Sequence, residues 1–319
     1  MNIILAIIFL VGGLLILWKC ADLLVAGAVG LANRLGVSSL VIGLTVVAMG
    51  TSAPEAAASI AAVLGKSGGG DIAVGNVFGS NIANLALVGG LVALIRPLRV
   101  KRQTLRREVP MMLAAALLIW PFLHNLYLSR PEGLVLLAIF VMLILLMVYA
   151  AKRDAKSEEQ DTTSGVRGTK KSVIFIVIGL IGLALGAKIA VEGAVFIGGR
   201  VGLSEAVIGL TIIALGTSLP ELATCVVAAI KGHHDISFGN LVGSNIFNTL
   251  LVTGAAGTVH AFDVGQRFAG GLDYWIMIIV SAAFAAAVII GRRVIGRVSG
   301  TLLLCGYIGY IVYLFAYSK

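Results

Sequence analysis

Gly50-Thr51-Ser52-Ala53-Pro54-Glu55 lies within a long apolar run that extends over residues 37–64. An apolar segment of that length can cross a bilayer, which needs about 20 residues. Glu55 is the one carboxylate in the run, and a carboxylate in mid-membrane costs about 3 kcal/mol or more, so it usually marks an ion or proton site. Pro54 has no N–H, so the Gly50 carbonyl loses its helical donor. We therefore expect the helix to kink or break here, with free carbonyls, hydroxyls and a carboxylate within one turn.

The same stretch recurs as Gly216-Thr217-Ser218-Leu219-Pro220-Glu221, 166 residues later. Between Gly36–Glu55 and Gly202–Glu221, 13 of 20 positions are identical. A second block, residues 75–84, recurs as residues 239–248 with 7 of 10 positions identical. The chain therefore contains an internal duplication, and both copies retain the polar residues.

The composition is that of an integral membrane protein. The chain is 59% hydrophobic and 12% charged, with a mean hydropathy of +1.04, whereas soluble domains are about 25% charged. The alternating pattern of a transmembrane barrel is missing, which favours helices. The net charge is +9, and the basic residues that cause it lie in predicted loops, where they set the orientation of the protein in the lipid bilayer. We expect no nucleic-acid partner and no obligate protein partner. Cys20, Cys225 and Cys305 lack disulfide or metal spacing, so we expect free buried thiols.

Hydropathy predicts an all-α protein with ten transmembrane helices. The predicted spans are residues 3–31, 37–64, 72–95, 109–123, 133–151, 173–199, 203–230, 236–257, 274–290 and 298–316. A charged cytoplasmic linker, residues 152–171, joins two five-helix repeats, 1–151 and 172–319, whose matched regions are 36–90 and 202–254. Because each repeat has an odd number of spans, the second must be inverted relative to the first. Inverted repeats with broken helices at the centre are typical of secondary transporters.

The basic residues predict the orientation. Of the 24 Lys and Arg residues, 17 fall in loops on one side of the predicted spans and 5 on the other. The heavier side is expected in the cytoplasm, so a multi-pass protein of the plasma (inner) membrane is predicted, with both termini outside. The first apolar run has no preceding basic residue and no cleavage site, so we expect a retained helix. Lys19 and Asp22 are expected to pair within this helix.

The repeated polar residues predict a site for hard cations. Residues four apart share a helix face, and each second block carries three polar residues at that spacing. These are Asn76, Ser80 and Asn84 in the first copy and Asn240, Ser244 and Asn248 in the second. The predicted ligands are all oxygens, which suits Ca²⁺ or Na⁺ and disfavours zinc or copper. Two carboxylates match one divalent cation and repel each other when it leaves. We therefore expect exchange of Ca²⁺ for monovalent cations or protons, as transported ions and without a cofactor.

The paired GTSxPE and GNxxGSNIxN blocks resemble the two alpha repeats of the calcium/cation antiporter superfamily, and most of all its prokaryotic sodium/calcium exchangers. The resemblance implies that Glu55 and Glu221 are shared calcium and sodium ligands at the centre. The further ligands it implies are the hydroxyls of Thr51, Ser52, Thr217 and Ser218, the main-chain carbonyls of Ala48, Thr51, Ala214 and Thr217, Ser80 and Ser244 in flanking sodium sites, and Asn84 and Asn248 in the middle. It also implies that the first and sixth spans slide across the other eight to alternate access.

One position departs from the family pattern, and several alternatives stay open. Some relatives carry Asp where this chain has Asn248, and an amide supplies neither a proton nor a third charge, which disfavours potassium co-transport. Besides Na⁺/Ca²⁺ antiport, an H⁺-coupled or K⁺-dependent antiporter is the main alternative. A channel and a membrane-embedded enzyme are remote ones, since no His or Lys general base accompanies Thr51 and Ser52. The sequence leaves stoichiometry, affinity, direction and oligomeric state open.

Overall fold

The structure is a computed structural model that describes residues 1–65, 69–155, 169–202, 212 and 214–317. Apart from two short two-stranded sheets, this part of the chain is helical. The helices of the first half are α1 (Ile3–Leu35), α2 (Ser39–Ile42), α3 (Ala48–Thr51), α4 (Ala53–Leu64), α5 (Gly69–Ile82), α6 (Gly89–Ile95), α7 (Arg102–Leu118), α8 (Trp120–Leu123) and α9 (Arg130–Ala155). Those of the second half are α10 (Thr169–Arg200), α11 (Ala214–Thr217), α12 (Leu219–Ile230), α13 (His234–Ile246), α14 (Thr253–Val259), α15 (Leu272–Ile290) and α16 (Arg297–Tyr317).

Within the described ranges, six helices are long and apolar enough to cross a membrane. They are Ile3–Leu35, Gly69–Ile95, Arg130–Ala150, Thr169–Arg200, Leu272–Ile290 and Arg297–Ala316. The pair Ser39–Thr51 and Ala53–Leu64 passes as one span bent by 41°. Of the other predicted spans, 109–123 falls on α7 and α8, 236–257 on α13 and α14, and 203–230 is only partly described. The chain is thus an all-helical, multi-pass membrane protein, and the count of ten spans stays a prediction.

Two predicted segments fall partly outside the described residues. The predicted linker, 152–171, is described only at its ends, where α9 continues to Ala155 and α10 begins at Thr169. The undescribed residues are 156–168, which make up most of the linker, and 203–211 and 213 of the second matched region.

Both predicted helix breaks are confirmed. α3 ends at Thr51 and α4 begins at Ala53, so that Ser52, with φ −83° and ψ 2°, separates them. Ser218 separates α11 from α12 with nearly the same dihedral angles, φ −87° and ψ 0°. Pro54 and Pro220 each occupy the second position of the helix that follows, where a missing N–H costs nothing. The prolines therefore start new helices after the break.

Three complete π-helical turns are present in the described chain, besides the single π-helical residue 212, and the sequence pattern did not predict them. They are Gly43–Val47, Ala83–Val88 and Phe247–Val252. A π turn inserts one residue into a helix and is frequent at functional sites. The predicted α-helical stripes therefore end at Ser80 and Ser244, because Asn84 and Asn248 lie in the π turns.

The long helices α1 and α10 pack closely against each other. A Cβ atom added at Gly13 would lie 2.5 Å from the Ala190 nitrogen, and one at Gly193 would lie 2.5 Å from the Ala6 carbonyl oxygen. Small residues let membrane helices approach in this way.

The end of α12 changes one predicted ion pair of α1. Asp22 pairs with Lys231, which directly follows α12, so the prediction that it pairs with Lys19 is wrong. The spacing of charged residues within α1 cannot show this, because Lys231 lies 209 residues after Asp22 in the sequence.

Two small antiparallel sheets each join one half of the chain to the other. β1 (Leu98–Arg99) pairs with β4 (Val294–Ile295), and β2 (Tyr127–Leu128) pairs with β3 (Phe262–Asp263). Each pairing places two buried apolar residues opposite each other, Leu98 with Ile295 and Leu128 with Phe262.

The helix α13 forms the centre of the fold. Every residue from Ile236 to Ile246 is buried. Its backbone lies directly against that of α2 and the following π turn, because a Cβ atom at Gly239 would lie 2.8 Å from the Leu40 oxygen and one at Gly243 would lie 2.6 Å from the Leu44 oxygen. The repeated block 239–248 of the second half is thereby held against the first half.

Candidate functional site

Two carboxylates lie in the interior at the helix breaks. Glu55 and Glu221 are both 0% exposed. Each lies in the first turn of the helix that follows its break, Glu55 in α4 and Glu221 in α12. The first turn of a helix has unpaired N–H groups and the positive end of the helix dipole, which stabilise a negative charge. The breaks therefore place two carboxyl groups in the protein interior, each at the start of a helix.

Hydrogen bonds across the two halves bring the breaks together. The Ser52 hydroxyl donates to Glu221 Oε1 at 3.3 Å, and the Thr51 hydroxyl donates to Asn240 Oδ1 at 3.1 Å. Because Ser52 lies three residues before Glu55, its bond to Glu221 brings the start of α4 next to the first turn of α12. The two helix breaks therefore lie next to each other, and the shared ion site of the two glutamates stays a prediction.

The π turns pack around the same region. The turn Phe247–Val252 packs against α4, and the turn Ala83–Val88 packs against α12. Each half therefore contributes an asparagine-bearing turn to the neighbourhood of the other half's glutamate. Asn84 and Asn248 are both 0% exposed.

Several polar atoms of these elements are buried without a hydrogen-bond partner. They are both carboxylate oxygens of Glu55, Glu221 Oε2, the hydroxyl oxygens of Ser218 and Ser244, and the side-chain amides of Asn84 and Asn248. A buried polar group left unpaired costs about 1–3 kcal/mol, and a charged group costs more. Carboxylate, hydroxyl and amide oxygens are ligands of hard cations such as Ca²⁺. This donor set therefore fits a hard cation that is bound as a substrate.

The remaining predicted ligands take several positions. Thr51, Ser52 and Ser80 are buried. The Ala48 carbonyl oxygen accepts from the Ser52 N–H at 3.0 Å and lies 3.3 Å from the Thr51 hydroxyl oxygen. Thr217 ends α11, which begins at Ala214. The structure thus places all twelve predicted residues at or next to the breaks and π turns.

Asn76 and Ser59 brace the first helix break through hydrogen bonds, a role that the sequence allows for Asn76 as an alternative to ion binding but does not reveal for Ser59. Asn76 Nδ2 donates to the Glu55 carbonyl at 3.0 Å and to the Ser59 hydroxyl at 2.9 Å. The Ser59 hydroxyl in turn donates to the Ala73 carbonyl at 3.3 Å. Asn76 therefore links α5 to α4 by hydrogen bonds and positions the backbone of Glu55.

Cys225 and Asn240 repeat this arrangement in the second half with sulfur in place of oxygen. Cys225 lies 166 residues after Ser59, at the equivalent position. Asn240 Nδ2 donates to Cys225 Sγ at 3.3 Å, and the thiol donates to the Ser237 carbonyl at 3.5 Å. The signal in the sequence was the position of Cys225 one turn after Glu221, which matches Ser59 after Glu55.

All three cysteines are free, as predicted, but they differ in burial. Cys225 is buried, Cys20 is partly buried and Cys305 is exposed, so the prediction of burial is wrong for Cys305.

The equivalence predicts how Cys225 tolerates substitution. In Cys225→Ser the hydroxyl keeps both hydrogen bonds, so we expect the free energy of unfolding to stay within about 0.5 kcal/mol of wild type. In Cys225→Val the Asn240 amide loses its acceptor, and we expect a loss of about 1–3 kcal/mol. Thermal unfolding of the purified variants measures both values. Equal destabilisation by serine and valine would show that packing of the sulfur, and not hydrogen bonding, decides the stability.

Comparisons with known proteins agree with this geometry. The family described as sodium/calcium exchanger protein matches residues 5–149 and 171–316. The inner membrane protein YrbG of Escherichia coli K12 is 37% identical over 322 residues, which cover 98% of this chain and 97% of that protein. The sodium/calcium exchanger MaX1 of Methanosarcina acetivorans is 33% identical over 344 residues, which cover 95% of this chain and 96% of that protein.

A solved structure shares the fold. The sodium-calcium exchanger NCX_Mj, soaked with zero Na⁺ and Ca²⁺, matches with a TM-score of 0.83 and 29% identity, covering 98% of this chain and 99% of that chain. Family and fold are those of an exchanger and not of an enzyme. Sequence, fold and buried oxygen ligands lead to the same conclusion: the chain belongs to the sodium/calcium exchanger protein family.

Proposed function

We propose that the protein is a secondary active transporter that exchanges Na⁺ for Ca²⁺ by alternating access at a site built around Glu55 and Glu221. One observation carries this proposal. Each half contributes one fully buried carboxylate at a helix break, and Ser52 of the first break donates to Glu221 of the second at 3.3 Å. Three of their four oxygens have no hydrogen-bond partner in the described structure.

The charges explain why the ions are exchanged. Two carboxylates carry two negative charges, which one Ca²⁺ neutralises. If both stayed ionised without a cation, they would repel each other in a medium of low dielectric constant, where the interaction between charges is several times stronger than in water. Departure of Ca²⁺ is therefore coupled to arrival of other cations.

Sodium ions use the neutral oxygens in this proposal. The hydroxyls of Ser80 and Ser244 are the proposed ligands of the flanking sodium sites, and both residues are buried. The hydroxyls of Thr51, Ser52, Thr217 and Ser218 and the carbonyls of Ala48 and Ala214 complete the set. Asn84 and Asn248 are both amides, so the middle of the site has no third carboxylate, and we propose that K⁺ is not co-transported.

We also propose ten transmembrane helices in two inverted repeats of five. The pairing of the strands supports this arrangement. β1 and β3 begin at Leu98 and Phe262, 164 residues apart, and each pairs with a strand of the opposite half. The two segments of the family match, 5–149 and 171–316, also correspond to the two predicted repeats. The proposed location is the plasma (inner) membrane, with both termini outside.

Transport of radioactive calcium into liposomes that contain the purified protein tests the function. With Na⁺ loaded inside and absent outside, we expect Ca²⁺ to accumulate inside, and the uptake to vanish when Na⁺ is equal on both sides. A pH gradient alone is expected to drive no uptake, because the neutral ligands are hydroxyls and carbonyls. Adding K⁺ to either side is expected to leave the uptake unchanged.

Other outcomes would identify the alternatives. Uptake driven by the pH gradient without Na⁺ would show H⁺ coupling and contradict the proposal. Uptake that requires K⁺ together with Ca²⁺ would contradict the role given to the two amides. Ca²⁺ flux that needs no counter-ion would indicate a channel.

A further inference from the structure

We propose that Asn81 is a positioning residue that sets the affinity for Na⁺ through its hydrogen bond to Thr249. Asn81 Nδ2 donates to the Thr249 hydroxyl at 2.9 Å, and both residues are buried. The bond crosses from α5 of the first half to the π turn Phe247–Val252 of the second half. The inference rests on the proposed function, because it assigns a role toward one of its two ions.

The two residues adjoin two proposed ligands. Asn81 directly follows Ser80, and Thr249 directly follows Asn248. The bond therefore fixes the position of the helix that carries Ser80 relative to the turn that carries Asn248. Binding constellations work when their ligands are held to within about 0.5 Å by a supporting shell of packing and hydrogen bonds.

Further contacts hold this bond in place. The Thr249 hydroxyl donates to the Asn245 carbonyl at 2.8 Å, which leaves its oxygen to accept from Asn81. The Asn81 amide also contacts Met277 Sδ of α15 at 3.6 Å. Asn81 thus joins three elements, α5, the π turn and α15, at one buried position.

The residues equivalent to Asn81 and Thr249 in the other copy of the repeat do not form this bond. Asn245 is equivalent to Asn81, and Leu85 is equivalent to Thr249, since both pairs are 164 residues apart. Leu85 has no hydroxyl, and Asn245 Nδ2 donates instead to the Leu241 carbonyl of its own helix at 2.8 Å. Asn245 therefore provides a matched control with similar burial and chemistry but without a side-chain bond to the other half.

The expected effect falls on Na⁺ more than on Ca²⁺. In the proposed site the two glutamates hold Ca²⁺ chiefly through their charge. Ser80 and Asn248 are uncharged, so their binding of Na⁺ depends on how accurately their oxygens are positioned. Loss of one buried hydrogen bond changes an equilibrium by about fivefold. We expect Asn81→Leu and Thr249→Val each to raise the Na⁺ concentration for half-maximal exchange about fivefold, and the Ca²⁺ value by less than about twofold.

The experiment measures Na⁺ and Ca²⁺ dependence of calcium uptake in proteoliposomes for wild type, Asn81→Leu, Thr249→Val, the double variant and Asn245→Leu. The double variant is expected to equal either single variant, since both remove the same bond, and Asn245→Leu is expected to keep the wild-type ratio of the two half-saturation values. Thr249→Val removes the bond while leaving Asn81 in place, so it tests the inference even where Asn81→Leu does not fold.

Three results would overturn the inference: equal shifts for Na⁺ and Ca²⁺, additive effects in the double variant, or the same shift in Asn245→Leu. A wild-type protein without Na⁺-driven uptake would overturn the proposed function and this inference with it. A working wild type whose variants keep its ratio overturns the inference alone.

Discussion

Replacing Glu55 or Glu221 with glutamine is expected to lower Na⁺-driven Ca²⁺ uptake by about 100-fold or more. Loss of one member of a buried charged interaction costs about 3–5 kcal/mol, and about 1.4 kcal/mol corresponds to a tenfold change. Both side chains are fully buried, so water cannot replace the lost charge. Initial rates of calcium uptake into liposomes, at matched amounts of protein, measure the effect.

The same variants distinguish a transport role from a structural one. Because the two carboxylates repel each other, removing one charge is expected to leave the free energy of unfolding unchanged or higher when no cation is present. A pair that served only to stabilise the fold would show a lower value. Glu192→Gln is the matched control, since Glu192 is exposed on α10. Full uptake by either Glu55→Gln or Glu221→Gln would contradict the proposed site.

Gly243→Val is expected to lower the free energy of unfolding by about 3 kcal/mol or more, the upper part of the range for overpacked interiors. A Cβ atom at this position would lie 2.6 Å from the Leu44 oxygen and 2.7 Å from the Ala48 Cβ. The first of these atoms belongs to the backbone, which cannot move aside as the end of a flexible side chain would. Thermal unfolding and the yield of folded protein in detergent measure the loss.

Gly306→Val serves as the control for this variant. Gly306 is an exposed glycine of α16, and no described atom lies within 4 Å of its added Cβ. We expect it to unfold at a temperature close to that of wild type. If Gly243→Val were as stable as this control, α13 and the π turn Gly43–Val47 would not be in the close contact that the structure has.

Much of the candidate site follows from the duplication. Glu55 and Glu221 stand out because a buried carboxylate beside a proline recurs at the same place in both halves. A proline that removes a helical donor predicts a break whatever surrounds it, and both breaks are present. Local chemistry was therefore enough for these features.

The partners across the two halves were beyond sequence reasoning. The spacing of residues along one helix predicts which of them share a face, but it does not show which face of another helix they meet. The bonds from Thr51 to Asn240 and from Asn81 to Thr249 span 189 and 168 residues. The π turns were missed for a related reason, since one inserted residue per helix leaves the apolar pattern almost unchanged.

The two small sheets restrict which parts of the protein can move in the proposed alternating access of ions to the site. Each sheet pairs a strand of the first half with a strand of the second half, Leu98–Arg99 with Val294–Ile295 and Tyr127–Leu128 with Phe262–Asp263. A rigid-body rotation of one half against the other would break the backbone hydrogen bonds of both sheets. If the proposed exchange uses alternating access, we expect the moving part to combine helices of both halves that carry no paired strand. The helices α1 and α10, one from each half and packed on each other through glycine, meet this condition. The expected boundary of the moving part then cuts through both repeats and does not follow the division between them.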